Sequence, residues 1–318
     1  LVEEADIIHL HWINQGFLSL RDIERLVKQN KPIVWTMHDM WPCTGICHHA
    51  RDCEKFQTEC ESCFFLKSKG KDLSTSVFDK KMSLYKDANI TFVGCSRWLS
   101  GRAKKSYLLR GKAVLSIPNP IDTKVYHPMD QGMARELLGL PSGKRLLLFG
   151  ALNVTDKRKG IDYLIEALRR MEKQDVELVV FGQVKDDSRG LFPVPIHSMG
   201  YLSDESKIVA LYNAVDMFIT SSLEENLPNT IMESMACGTP CVGFEIGGIP
   251  EMIDHRVNGY VANYKDAGDL ANGIQWVLEH EDRLALSDAC VKKVQENYTE
   301  EVVAKQYTAL YEKLLKGE

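Results

Sequence analysis

The sequence predicts an α/β protein built from two doubly wound domains, and three observations carry that prediction. In the second half, apolar strand-like runs alternate with segments of helical spacing, the pattern of a parallel sheet covered on both faces. In the first half, short apolar strand-like runs recur at ADIIHLHW, PIVWTMH, ITFVGCS and AVLSIPNP. Between the halves, Pro118, Pro120 and Pro128 punctuate a linker-like stretch. A length of 318 residues also favours two domains over one. The expected division is 1–127, with a cysteine-rich loop at 40–73, and 128–318, closing in amphipathic helices. Two such halves joined by a short linker imply a cleft between them.

Taken in order, Ala5–Trp12 reads as a strand, and alternation puts His9 and His11 on one face of it. A helix is expected near Phe17–Gln29, then a strand Pro32–His38 that delivers His38 and Asp39 into a loop. The irregular stretch from Met40 to Leu73 is long for a compact domain, which points to a functional or stapled loop. A helix near Val77–Asp87, the strand ITFVGCS and a basic helix Arg97–Leu109 follow. In the second half, strands are expected at Arg145–Gly150, Val176–Gly182, Met217–Ser221 and Pro240–Glu245. Helices are expected at Ile161–Lys173, Glu205–Asn213, Asn229–Cys237, Ala267–Glu279, Asp282–Glu296 and Glu300–Lys316. Because the chain opens on Leu1 directly in a strand pattern, the first domain is expected to lack its first strands.

Composition narrows the class. The chain is 44% apolar, ordinary for a globular protein, and its net charge of -5 gives no footprint for a nucleic-acid partner. No apolar run approaches bilayer length and no signal peptide is evident, so a cytoplasmic location, at most at the inner face of a membrane, is expected. Nine cysteines in such a chain suggest thiols or a metal before disulfides.

The densest chemistry lies between Phe218 and Ile253. A buried-strand run ends in the loop EENLP. A helical segment follows, with Asn229 as N-cap and Gly238 as stop, then a second strand and the turn Gly247-Gly248. Glu225 sits at the carboxyl end of the strand. Glu233 lies in the early helix, where side chains lean back towards the N-terminus. Both carboxylates can face one site and accept paired hydrogen bonds from vicinal hydroxyls, as on a sugar or ribose. The amides at the helix start and around Gly247-Gly248 suit phosphates. On spacing alone, two ordinary surface glutamates is the competing reading. A second cluster, Lys157, Arg158 and Lys159 in FGALNVTDKRKG, stands where a strand enters a helix. That placement suits a pyrophosphate; a solvated charge run is the alternative.

The cysteine loop holds Cys47, Cys53, Cys60 and Cys63, with Cys60 and Cys63 in C-x2-C spacing. The pattern suggests a closed structural zinc centre that staples the loop, with free cysteines or disulfides as alternatives. The basic stretch Arg97–Leu109 could lie on an anionic membrane, or present a plain solvated face.

The run SSLEENLPNTIMESMACGTPCVGF, continued by GGIPEMI and NGYVA, resembles the signature of retaining glycosyltransferases of family 4, which have the GT-B fold of two Rossmann-like domains facing across a cleft. The resemblance extends from WTMH through IPNPID to the C-terminal helices, with bacterial polysaccharide-type members. It implies transfer of a sugar from a nucleotide diphosphate sugar to an acceptor hydroxyl, with retention at the anomeric carbon and no cofactor for catalysis. In that reading Lys159 and Arg158 stabilise the leaving phosphates, Glu225 positions the donor sugar, and His38 contacts it from the first domain. Glu233 holds the ribose, and Asn226, Leu227, Thr230, Gly247 and Gly248 line the donor site. Tyr201-Leu202, a Gly-aromatic turn in the family, lies near the base, where a core tyrosine is the competing reading. The implied acceptor is a saccharide or lipid-linked saccharide in capsule, exopolysaccharide or lipopolysaccharide synthesis. Two departures stand out: Asn226-Leu227-Pro228 replaces the Gly-Phe-Gly of many members, and Ala151, Leu152 and Asn153 occupy the place of an upstream arginine. An epimerase, a phosphorylase with lysine-bound pyridoxal, or a non-catalytic binding protein whose cysteine loop recruits a partner are the rival readings.

Overall fold

A computed structural model of the chain describes residues 2–153, 156–171, 175–183 and 190–317. The chain divides into two units, Leu1–Pro118 with Val303–Glu318, and Asn119–Val302. The boundary therefore opens the proline-rich segment instead of closing it at 127, and the end of the chain belongs with the first unit instead of the second. Hydrogen bonding explains the first shift: Ile121 N donates to Tyr298 O, and Ile121 bridges Thr299. Burial explains the second, because Val303 and Leu310 pack with Val34, Val93 and Ile117.

In the first unit, β1 (Ile8–Leu10), β2 (Ile33–Met37), β3 (Ile90–Gly94) and β4 (Val114–Ser116) form one parallel sheet in that order. Every residue of β2 and β3 is buried, as expected for central parallel strands covered on both faces. Two helices start elsewhere than the sequence reading places them because capping side chains set their starts, and a third divides. The first, α1 (Leu20–Val27), begins at a Ser19–Asp22 capping box and leaves Phe17 outside. Asp72 accepts from Ser74 N and Thr75 N, so α2 (Leu73–Lys86) begins before Val77. The expected helix Arg97–Leu109 splits into α3 (Arg97–Lys104) and a 3-10 turn, Tyr107–Leu109, that Ser106 caps. Its apolar residues Leu99, Leu108 and Leu109 are buried in the core of the unit, so they do not form a face for a bilayer.

The second unit holds α4 (Gln131–Leu138), β5 (Arg145–Asn153), α5 (Ile161–Arg170), β6 (Val176–Gln183), β7 (Ile196–Gly200), α6 (Glu205–Ala214) and β8 (Met217–Thr220). It continues with α7 (Asn229–Ala236), β9 (Cys241–Phe244), α8 (Ile249–Met252), β10 (Gly259–Ala262), α9 (Ala267–Leu278) and α10 (Arg283–Asn297), and α11 (Glu300–Lys316) ends the chain. Its parallel sheet runs β10-β9-β8-β5-β6-β7. Sequence patterning missed α4, β7 and β10: β7 is a half-exposed edge strand and β10 spans only four residues. The helix α5 stops at Arg170, where Met171 is already extended, short of the expected Lys173; residues 172–174 lie outside the described residues. Strand order reverses between β5 and β8, which is the topological switch point where doubly wound sheets bind ligands at their carboxyl ends. Among the described residues, no helix is long and apolar enough to cross a membrane.

Candidate functional site

Three loops meet at the switch point, and two glycines set how closely. Gly160 has φ +63, and a Cβ there would collide with the carbonyl of Ser221. Gly247 has φ +60, and a Cβ there would collide with the carbonyl of Glu225. Both positions thus need glycine for conformation and for space. Hydrogen bonds close the same contacts. Leu223 N donates to Arg158 O at 2.7 Å, Ser221 Oγ to Lys159 O at 2.9 Å, and Gly248 N to Asn226 O at 2.6 Å. The loop after β8 is therefore held between the turn after β5 and the turn after β9.

This packing brings Lys159 Nζ to 2.5 Å from Glu225 Oε1, with the lysine side chain 35% exposed and the glutamate 15%. Arg158 turns elsewhere. Its guanidinium lies 2.8 Å from Asp156 Oδ2, and the paired carboxylate raises its pKa. Lys159 is thus the cation joined to Glu225, and Arg158 is held by its near neighbour; Lys157 shares the same turn.

Helix starts add a second feature. The helices α1, α2, α3, α4, α6, α9 and α10 begin with a Ser or Asp side chain that accepts from their first amides. At the switch point, α5 and α7 have no such cap: Gly160 and Pro228 stand in the cap positions. Asn229 is therefore the first helical residue, not the N-cap expected from the sequence. Amides left open by side chains at two helix starts are suited to phosphate oxygens.

Glu233 lies on α7, and its Oε2 accepts from Tyr212 Oη at 2.7 Å. Burial raises the Glu233 pKa and nearby Glu205 adds to that, while the Tyr212 hydrogen bond opposes both. Tyr212, fully buried on α6, was not marked by any sequence motif. Tyr126 also belongs to this surrounding: burial first, then the charge of Glu233, pushes its pKa up to about 12. Asn226 and Leu227 are buried within the loop, and Thr230 is half-buried on the first turn of α7. Tyr201 is 69% exposed just past β7, which excludes a core tyrosine; Leu202 beside it is half-buried.

In the first unit, His38 follows β2. Its Nε2 lies 3.2 Å from His11 Nδ1, and burial, then His11, lowers its pKa while Asp39 pulls the other way. Asp39 accepts from Trp12 Nε1 at 2.9 Å and Trp41 N at 2.7 Å, and sits 2.7 Å from His48 Nδ1. Burial works against its charge, but these hydrogen bonds outweigh burial and lower its pKa.

The cysteine loop departs from the zinc expectation. Cys47, Cys53, Cys60 and Cys63 are free thiols, and among the described residues no group of three or more His, Cys, Asp or Glu side chains converges as metal ligands. Burial pushes the Cys60 thiol up to about 11, and the nearby Cys47 and Cys53 add to that rise. The loop is organised instead around Lys81, whose Nζ donates to the carbonyls of Trp41, Thr44 and Gly45 at 2.6, 3.0 and 3.1 Å. The same ammonium lies 3.4 Å from the Trp41 ring centroid. Cys63 N also donates to Asp72 Oδ2 at 2.8 Å. The sequence reading did not mark Lys81, and a lysine at a buried helical position is not distinguishable there from a solvated one.

Residues 143–280 match the family model described as "Glycosyl transferases group 1". The chain is 24% identical over 213 residues to N-acetyl-alpha-D-glucosaminyl L-malate synthase of Bacillus anthracis, covering 65% of this chain and 55% of the relative. It is 23% identical over 253 residues to the putative colanic acid biosynthesis glycosyl transferase WcaC of Escherichia coli K12, covering 74% and 59%. The chain spans about half the length of the curated relatives it matches. Sucrose-phosphate synthase from Thermosynechococcus elongatus superposes with TM-score 0.74 at 21% identity, over 98% of this chain and 74% of that one. Anabaena Alr3699/HepE in complex with UDP gives TM-score 0.72 at 17% identity, over 97% and 79%. The fold is accordingly GT-B, and the match to the group 1 glycosyl transferase model covers residues 143–280 of the second unit.

Proposed function

We propose that this chain belongs to a glycosyltransferase that moves a sugar from a nucleotide diphosphate sugar to an acceptor hydroxyl. The observation that carries the reading is the Lys159–Glu225 pair at the switch point, beside two helix starts that no side chain caps. Breaking the bond to a nucleotide diphosphate leaves negative charge on the phosphates and positive charge near the anomeric carbon, so the work is chiefly electrostatic. Lys159 and the open amides of α5 and α7 stabilise the leaving phosphates. Glu225, released from Lys159 as the phosphates take the lysine, orients the donor sugar. Glu233 accepts the ribose hydroxyls, with Tyr212 holding its carboxylate. Arg158 is a weaker candidate than Lys159, because Asp156 already engages it.

The finer reading is a family 4 enzyme working with retention. Its acceptor is a saccharide or lipid-linked saccharide in cell-surface polysaccharide synthesis, at the cytoplasmic side of a membrane. Support comes from the sequence signature and from relatives such as the putative colanic acid enzyme. Asn226, Leu227, Thr230, Gly247 and Gly248 complete the donor surroundings, Tyr201 and Leu202 attend the base, and His38 of the first unit attends the donor sugar.

A thermal-shift screen against UDP, GDP and ADP and their common sugars tests this. A ligand at 100-fold its Kd adds about 2.7 kcal/mol of stability. One nucleotide is expected to raise the melting temperature, and Glu233→Ala is expected to abolish the rise. A flat response to all three would remove the donor reading.

A further inference from the structure

A line of ring and hydroxyl contacts runs from His38 through the exposed His11 to the half-buried His9 in the first unit. The His11 and His38 rings stack with centroids 5.5 Å apart at 26°, joined at Nδ1 and Nε2. His9, on β1, lies 4.2 Å from the His11 ring. Both of its nitrogens are engaged, Nε2 with Thr36 Oγ1 at 2.8 Å and Nδ1 with Tyr311 Oη at 2.6 Å. Thr36 Oγ1 in turn meets Tyr307 Oη at 2.7 Å. The line is thus assembled from β1, β2 and α11, elements far apart in sequence.

A hydrogen bond between two imidazole nitrogens needs one to carry the proton and the other to be bare. The tautomer of either ring then fixes that of the other. We propose that His11 is a positioning residue for His38, fixing its ring orientation and its tautomer, while His9, clamped by Thr36 and Tyr311, backs the His11 ring. For its bearing on transfer this rests on the reading that His38 meets the donor sugar. Among the described residues, the groups facing the pair include His9, Asp39 with its partner His48, and the phenols of Tyr307 and Tyr311 through His9 and Thr36. Burial keeps the three rings towards the neutral form: His9 is lowered to about 4, and His11 and His38 are lowered as well. A neutral ring of fixed tautomer presents a sugar hydroxyl with a defined donor or acceptor instead of a charge.

The test is nitrogen-detected NMR of the histidine rings in the whole chain, with His11→Phe, which keeps a ring and removes its nitrogens, and His11→Asn, which returns one amide partner. The native chain is expected to show His38 in one tautomer. His11→Phe is expected to mix the tautomers and raise the His38 titration midpoint, because a neighbour that repels its charge is gone. His11→Asn is expected to restore one tautomer. Transfer by His11→Phe should fall roughly tenfold to a hundredfold in kcat with donor KM little changed. An unchanged His38 tautomer and midpoint in His11→Phe would overturn the proposal. Changed NMR signals with unchanged transfer would leave the positioning role standing and remove His38 from the donor site. If His11→Phe does not fold, Tyr311→Phe, which unclamps His9, reads the same His38 signals, and no change there counts against the line.

Discussion

Two lysines show how one side chain serves two different ends. Lys159 lies at the carboxyl edge of the second sheet, partly exposed, with the carboxylate of Glu225 as a partner that a ligand can replace. Lys81 is fully buried in the first unit, has three carbonyl partners and an aromatic face, and is held by backbone that cannot leave. Burial lowers its pKa to about 7, while the surrounding thiols and Asp39 oppose that shift. A cation exposed enough to exchange partners can work on a substrate. One satisfied on every side organises the chain around it.

Removing each lysine should separate the two roles. Lys81→Met would strand three carbonyls, and a loss of about 3–5 kcal/mol in denaturant titration is expected. A loss below about 1 kcal/mol would mean that water replaces the ammonium and that the loop has another anchor. Lys159→Ala should barely move stability, by less than about 1 kcal/mol for a partly exposed pair. Its transfer rate should fall roughly 100-fold to 1,000-fold, the scale of losing one donor to developing negative charge. A variant that unfolds as readily as Lys81→Met would make the Lys159–Glu225 pair structural.

The pH dependence of nucleotide binding sharpens the contrast further. Glu233 has a pKa raised above 4.5 by burial, so the folded chain binds a proton there more readily than the unfolded chain. Its contribution to folding is present below 4.5 and is lost as pH rises through the raised value. Nucleotide binding has the opposite sign, because ribose hydroxyls need the charged carboxylate: affinity should weaken as pH falls through that same value. Tyr212→Phe removes the hydrogen bond that lowers the pKa, so the weakening should begin at higher pH. Binding curves that superpose would exclude Glu233 as the ribose partner. The smallest change is expected for Arg158→Ala, within about 0.5 kcal/mol of stability and severalfold in rate, since Asp156 occupies it. A rate loss matching that of Lys159→Ala would restore Arg158 as the second phosphate cation.

The alternation of strands and helices was legible because burial on both faces of a parallel sheet leaves continuous apolar runs, as in β2, β3 and β8. The short or half-exposed strands β7 and β10 lack that imprint. Helix starts misread at Phe17, Val77 and Asn229 were decided by capping geometry, which spacing does not encode. Glu225, Glu233 and Lys159 could be picked out by residue type and position. Which cation meets which carboxylate could not, because Lys159 and Glu225 are 66 residues apart and are joined by loops pressed together at Gly160 and Gly247.

The sequence alone determined what is local: the periodicity that makes strands and helices, and the block from Ser221 to Val261 that resembles a glycosyltransferase signature. Tertiary structure decided the partners. It gave Glu233 to Tyr212, Glu225 to Lys159, Lys81 to three carbonyls of the cysteine loop, and His9 to a tyrosine near the end of the chain. The physical reason is that hydrogen bonds and burial act over a few ångströms of space, whatever the distance along the chain.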